Sequence, residues 1–178
     1  MKSKSKLYLI PIALLSLSII LVSCFTESEE GPSDLEIANE IWGKMSAENY
    51  NDQTGAWKFW PGKTGIYSPD TTLHSSAPHG PPKFFQTFVN SVGYESVQSK
   101  SFPLPDGTII AKQHYDSTKT LNEVTVMTKR KGYDAANNDW FWTEFSSDGT
   151  VKAQGKVLGC IACHSAKKSD DYIWTRIP

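Results

Sequence analysis

The sequence predicts an α+β fold, a mainly antiparallel β-sheet with an N-terminal helix, a short middle helix and a C-terminal helix carrying a C-x-x-C-H motif. Three observations predict it. An apolar stripe at helical spacing follows Ser33, a series of β-branched and aromatic segments fills residues 84–154, and the motif Cys160-Ile161-Ala162-Cys163-His164 stands almost at the end of the chain. So little sequence follows His164 that anything bound at the motif must lie against elements formed earlier.

At the amino end Lys2, Lys4 and Lys6 precede a largely apolar run at 7–22, after which the chain turns polar and acidic through Glu27, Glu29 and Glu30. The run is short for a bilayer core and Pro11 interrupts it, so it reads as a secretory signal peptide rather than a spanning helix. Its exit, Leu21-Val22-Ser23-Cys24, looks like a bacterial lipobox, which predicts cleavage before Cys24 and a lipid on that cysteine. The domain organisation expected is a signal at 1–23, a flexible linker at 24–32 and one folded domain at 33–178. Removing the three signal lysines from 18 basic residues leaves 15 against 19 acidic ones, a mild negative balance that offers no nucleic-acid surface.

Ser33 and Glu36 have the spacing of a capping box, and Leu35, Ala38, Ile41, Trp42 and Met45 recur at helical intervals behind it. Residues 51–82 are rich in Gly, Pro, Ser and Thr, with Trp57, Phe59, Trp60 and Tyr67 between them, and read as an irregular excursion. An ordered loop of that length usually lines or covers a site. Residues 84–89 suit a strand, and Asn90 suits the cap of a short helix reaching about Lys100. Strands follow at 108–115, 121–129 and 140–145, and Asp148-Gly149 turns the chain into a further strand at 150–154. At least four antiparallel strands are expected. Period-two alternation sets Thr108, Ile110, Lys112 and His114 on one strand face, and Trp140, Trp142 and Glu144 on another.

C-x-x-C-H is the spacing in which two cysteine sulfurs bond the vinyl groups of a haem while the adjoining histidine binds its iron. Cys160, Cys163 and His164 are therefore the expected attachment site of one haem c, with His164 as axial iron ligand. A redox C-x-x-C pair and half of a zinc site are the alternatives; neither requires the histidine, and a structural zinc wants four ligands. One cysteine under lipid and two under haem would account for all three in the chain. Both assignments agree on export. A methionine sixth ligand is open to Met45 or Met127, and His74, His79 and His114 could close the same position, but no spacing signals any of them.

Residues from His79 to Trp174 resemble the cytochrome P-460 family, related to the cytochromes c′-beta. The carriers are His79-Gly80-Pro81, Phe88-Val89-Asn90, Asp106-Gly107-Thr108-Ile109-Ile110-Ala111-Lys112, Val124-Thr125-Val126-Met127, Gly132-Tyr133-Asp134, Asp139-Trp140-Phe141-Trp142, Asp148-Gly149, the haem motif and Asp171-Tyr172-Ile173-Trp174. The resemblance implies a mainly antiparallel β fold, commonly a homodimer, holding one haem with a histidine on one face and an open position on the other. It also implies that Lys112 can bond through its amine to a bridging carbon of the porphyrin, as in cytochrome P-460 proper and unlike the cytochromes c′-beta. A surface lysine paired with a carboxylate or a haem propionate is the plainer alternative for that residue.

The function that the resemblance implies is oxidation of hydroxylamine, with nitric oxide chemistry, to nitrous oxide at five-coordinate iron, the electrons leaving to a soluble acceptor such as another cytochrome. Phe84 or Phe85 would pack over the open iron face, His79 or Lys83 would give it a polar edge, and His114 would lie near Lys112. From its strand face, and from no family motif, Glu144 is one candidate for proton removal; the plainer alternative is a solvated carboxylate beside core tryptophans. The alternatives are a gas-binding scavenger or sensor of nitric oxide without turnover, and an electron-transfer cytochrome with a strong sixth ligand. The lipid on Cys24 would hold the protein on the periplasmic side of a membrane, with Phe25 after it favouring the outer one.

Overall fold

A computed structural model describes residues 31–53, 55–68 and 84–174. Helix α1 (Asp34–Ala47) opens with the capping box: Ser33 Oγ accepts from the Glu36 amide while Glu36 accepts from the Ser33 amide. Six strands follow, β1 (Trp57–Phe59), β2 (Phe84–Asn90), β3 (Ile109–Tyr115), β4 (Leu121–Lys129), β5 (Trp140–Ser146) and β6 (Val151–Gly155), with helix α2 (Ser91–Ser99) after β2 and α3 (Leu158–His164) after β6. They form one sheet in the order β1-β2-β3-β4-β5-β6, each antiparallel to its neighbour. The α+β, mainly antiparallel class is what the strand patterning predicts.

The two faces of the sheet bury different clusters. On one, α1 sets Ile37, Ala38, Ile41 and Met45 against Phe88, Ala111, Val126, Phe141 and Phe145, with Tyr50 and Trp57 closing the edge. On the other, Val89, Ile110, Met127, Trp140 and Trp142 meet Trp60, Val97, Leu104, Tyr172 and Ile173, and Cys160 and Ile161 of α3 pack on their margin. Burying each large apolar side chain contributes roughly 1.5–3 kcal/mol. Two such layers fix which sheet face is left to α3.

Turns between elements follow their residue chemistry. Asn90 caps α2 by accepting from the Gly93 amide, accepts as well from the Ile109 amide, and donates to the Gly107 carbonyl, so one side chain joins the end of β2 to the starts of α2 and β3. Gly149 turns β5 into β6 at φ 91°, and a methyl group there would fall 2.1 Å from the Trp42 indole nitrogen. The hairpin and α1 thus meet without space for a side chain.

Two expectations need correction. Leu35 is not in the helix stripe: it is half exposed, and Ile37 takes the buried place. The 51–82 stretch is not wholly irregular, because Trp57–Phe59 adds the edge strand β1 and Tyr67 bridges to Phe85. Three residues are too few for alternation to show, and their pairing with β2 is a long-range contact.

Candidate functional site

Alternation and register bring the chemistry of four strands to the sheet face opposite α1. Thr87, Lys112, Thr125 and Glu144 form one row across β2, β3, β4 and β5, and Phe85, His114 and Glu123 form the next. Helix α3 lies at this face. The His164 ring stands edge-on to Trp142 with centroids 4.9 Å apart, and Cys163 and Cys160 are near enough to exert a field on Lys112 and to feel one from Glu144.

Lys112 points its amine at the Phe85 ring, 3.7 Å from the centroid. The residue keeps some exposure, yet burial among its neighbours pulls the amine down from 10.5 to about 8, with Cys163 acting weakly in the other direction. A fraction of the amine is then neutral near pH 7, and only a neutral amine is a nucleophile.

His114 is buried beside it. Its Nε2 lies 2.8 Å from Thr125 Oγ1, its Nδ1 3.8 Å from Glu123 Oε1, and its ring meets Phe85 edge-on at 4.9 Å. Lys152 spans the two carboxylates, 3.5 Å from Glu123 and 3.4 Å from Glu144, and they hold its ammonium above its ordinary range. Protonatable groups therefore run from His114 through Glu123 and Lys152 to Glu144.

His164 ends α3. Its Nδ1 lies 2.8 Å from the Tyr172 carbonyl oxygen. A carbonyl can only accept, so Nδ1 carries the proton and Nε2 is the nitrogen with the lone pair. That is the tautomer an axial iron ligand needs. The carbonyl is aimed by a turn in which Asp171 and Tyr172 both have left-handed backbone, φ 55° and 66°.

Burial pushes the Cys160 thiol up to about 11, with Glu144 and Cys163 adding to it. Redox C-x-x-C pairs lower a thiol instead. Among the described residues no group of three or more His, Cys, Asp and Glu side chains could hold a metal ion. The residues do fit a haem. Two cysteines one helical turn apart, a histidine with Nε2 as its acceptor nitrogen and a flat face of Ile110, Met127, Trp142 and Phe85 are the donor set and apolar bed such a group requires.

Of the two candidate phenylalanines, Phe85 stands on this face and Phe84, the next residue along the strand, on the other, where the Lys119 amine lies 5.4 Å from its ring. Met45 belongs to the core under α1. His79, His74, Lys83 and Cys24 lie outside the described residues. Sequence reasoning missed Thr125 and Glu123 as neighbours of His114, although the alternation of β4 already set them on one face. It also missed the role of Asp171 and Tyr172, whose left-handed turn has no signal in two non-glycine residues.

The family model for cytochrome P460 matches residues 66–175, more than half of the chain. No curated protein matches the chain.

Proposed function

The chain belongs to the cytochrome P460 family as a c-type haem protein, and on that premise we propose that it oxidises hydroxylamine to nitrous oxide and passes the electrons to a soluble acceptor such as another cytochrome. The observation that carries the reading is Lys112, a buried amine of lowered pKa on the same sheet face as the C-x-x-C-H helix. Haem c, when bound, supplies an iron that takes a small nitrogen-containing ligand and accepts its electrons. Cys160 and Cys163 would hold it by thioether bonds, and His164 would ligate through Nε2 while the Tyr172 carbonyl keeps the proton on Nδ1.

Lys112 would give the third tie, a bond from its amine nitrogen to a bridging carbon of the porphyrin; each atom would give up a hydrogen, two protons leaving to solvent and two electrons to an external oxidant of the dioxygen or peroxide class, and the bond would distort the macrocycle and shift its electron density. For each nitrous oxide, two hydroxylamine molecules yield four electrons, four protons and one water. Glu144 and His114 would take up such protons, and the Lys152 ammonium, bridging Glu144 to Glu123, holds the two carboxylates in place. Phe85 packs against the Lys112 amine and narrows the ligand's side of the face.

A second reading, nitric oxide capture without turnover, is favoured by that same Phe85, buried and apolar, because a small uncharged gas needs no proton acceptor. The rest of the proposal stands on sequence alone: a signal at 1–23, a linker at 24–32, the haem domain at 33–178, a lipid on Cys24 tethering a homodimer to the periplasmic side of the outer membrane.

The test is a turnover assay of clean, fully haem-loaded protein with hydroxylamine and an electron acceptor. Reduction of the acceptor with release of nitrous oxide is expected, falling roughly 10- to 100-fold in Lys112→Ala. No reduction contradicts the enzymatic reading, and nitric oxide binding without turnover selects the second.

A further inference from the structure

The geometry points to Lys129 and Asp171 as positioning residues that hold the His164 hydrogen bond and, through it, set the reduction potential of the haem. The inference rests on His164 being the iron ligand. The bond in question runs from Nδ1 to the Tyr172 carbonyl at 2.8 Å, and that carbonyl is aimed by two successive left-handed residues, Asp171 and Tyr172. Each such non-glycine residue costs about 1–2 kcal/mol, so the turn persists only if its surroundings enforce it.

The Asp171 carboxylate supplies the enforcement. One oxygen accepts from the Lys129 amine at 2.6 Å and from Asn138 Nδ2 at 2.9 Å; the other accepts from the same amine at 2.8 Å and from the Leu104 amide at 2.8 Å. The Asp171 carbonyl accepts from Trp140 Nε1 at 2.8 Å, and the Tyr172 hydroxyl donates to Asn137 Oδ1 at 3.0 Å. One buried carboxylate thus ties the turn to β4, to the segment before β3 and to the segment before β5. Asp171 and Lys129 are 2% and 8% exposed, which makes the pair costly to desolvate and a weak device for stability alone. What it specifies is position. A buried ion pair aimed at the turn that carries the histidine's acceptor is a geometric constraint on the ligand.

The chemical consequence has a sign. A firmly held Nδ1–H···O bond gives the imidazole more imidazolate character, favours ferric over ferrous iron and lowers the potential. Loosening the turn weakens that bond and raises the potential, whichever partner is lost.

The test compares full-length, haem-loaded Asp171→Asn, Lys129→Met and the double variant with the parent, reading the one-electron midpoint potential and the iron–histidine stretching band of the ferrous protein. The positioning role predicts a rise in potential in all three, about tenfold in the ferrous-to-ferric ratio or 59 mV, with the band at lower frequency. Direct electrostatics alone predicts opposite shifts in the two single variants and none in the double, and that result overturns the inference, as does an unchanged potential throughout. The double variant leaves no buried charge unpaired and decides the question if a single variant fails to take up haem. His164→Gly serves as the parallel control: a haem spectrum identical to the parent's overturns the ligand assignment itself, and the positioning role with it.

Discussion

Lys112 concentrates the chemistry at the residue scale, and its titration can be followed with the haem withheld. In a Cys160→Ala/Cys163→Ala protein the amine is charged in both folded and unfolded chains below pH 8, where its burial costs at most about 3 kcal/mol. Above pH 8 the folded state sheds the proton while the unfolded chain keeps it to about 10.5, so stability rises with pH across that window. Urea unfolding at pH 7, 8 and 9 should show the rise, and Lys112→Met should abolish it while being the more stable protein at pH 7. Tyr50, Tyr67 and Tyr115, all raised by burial, act with the opposite sign at higher pH and equally in both proteins. With haem attached and the amine bonded to it, the rise should also be absent. The sequence already set Lys112 and His114 on one strand face, because period two is a local property. It could not give Glu123 and Thr125 as the partners of His114, since these come from register with β4. Asp171 was further still from view: its role depends on four groups from four segments and on a backbone conformation its residue type does not announce.

Elements hold the site in place, and two glycines measure how tightly. Gly149→Ala adds a methyl against the Trp42 indole at a left-handed position, joining strain to overlap, and should cost about 2–4 kcal/mol. Gly132→Ala is equally left-handed but opens on empty space, and should cost only about 1 kcal/mol. Denaturant midpoints separate them; equal costs would mean that α1 does not press on the β5–β6 turn. Ser33→Ala removes the cap of α1 and should cost about 1 kcal/mol, leaving the haem spectrum unchanged because α1 covers the other sheet face. The caps, the Asp-Gly turns and the long strands were legible because each is written in contiguous residues. Strand β1 was not, being three residues that gain strand character only by pairing with β2. Leu35 and Ile37 exchanged places because both lie near the stripe, and only the direction from which the sheet approaches decides between them.

For the whole molecule, the meander gives each face of one sheet a separate duty: α1 seals one side, and the other receives α3 and carries Lys112, His114 and Glu144. On the function proposed above, a bond from Lys112 to the porphyrin is what would separate hydroxylamine oxidation from gas binding on this face. The most direct test is the intact mass and reduced visible spectrum of the haem-loaded protein beside Lys112→Ala expressed in the same way. The account predicts a parent lighter than polypeptide plus haem by the hydrogens lost on cross-linking, with a strongly red-shifted ferrous band, and a variant that reverts to an ordinary c-haem spectrum. Identical spectra, with a parent mass equal to that of uncross-linked protein, would contradict it.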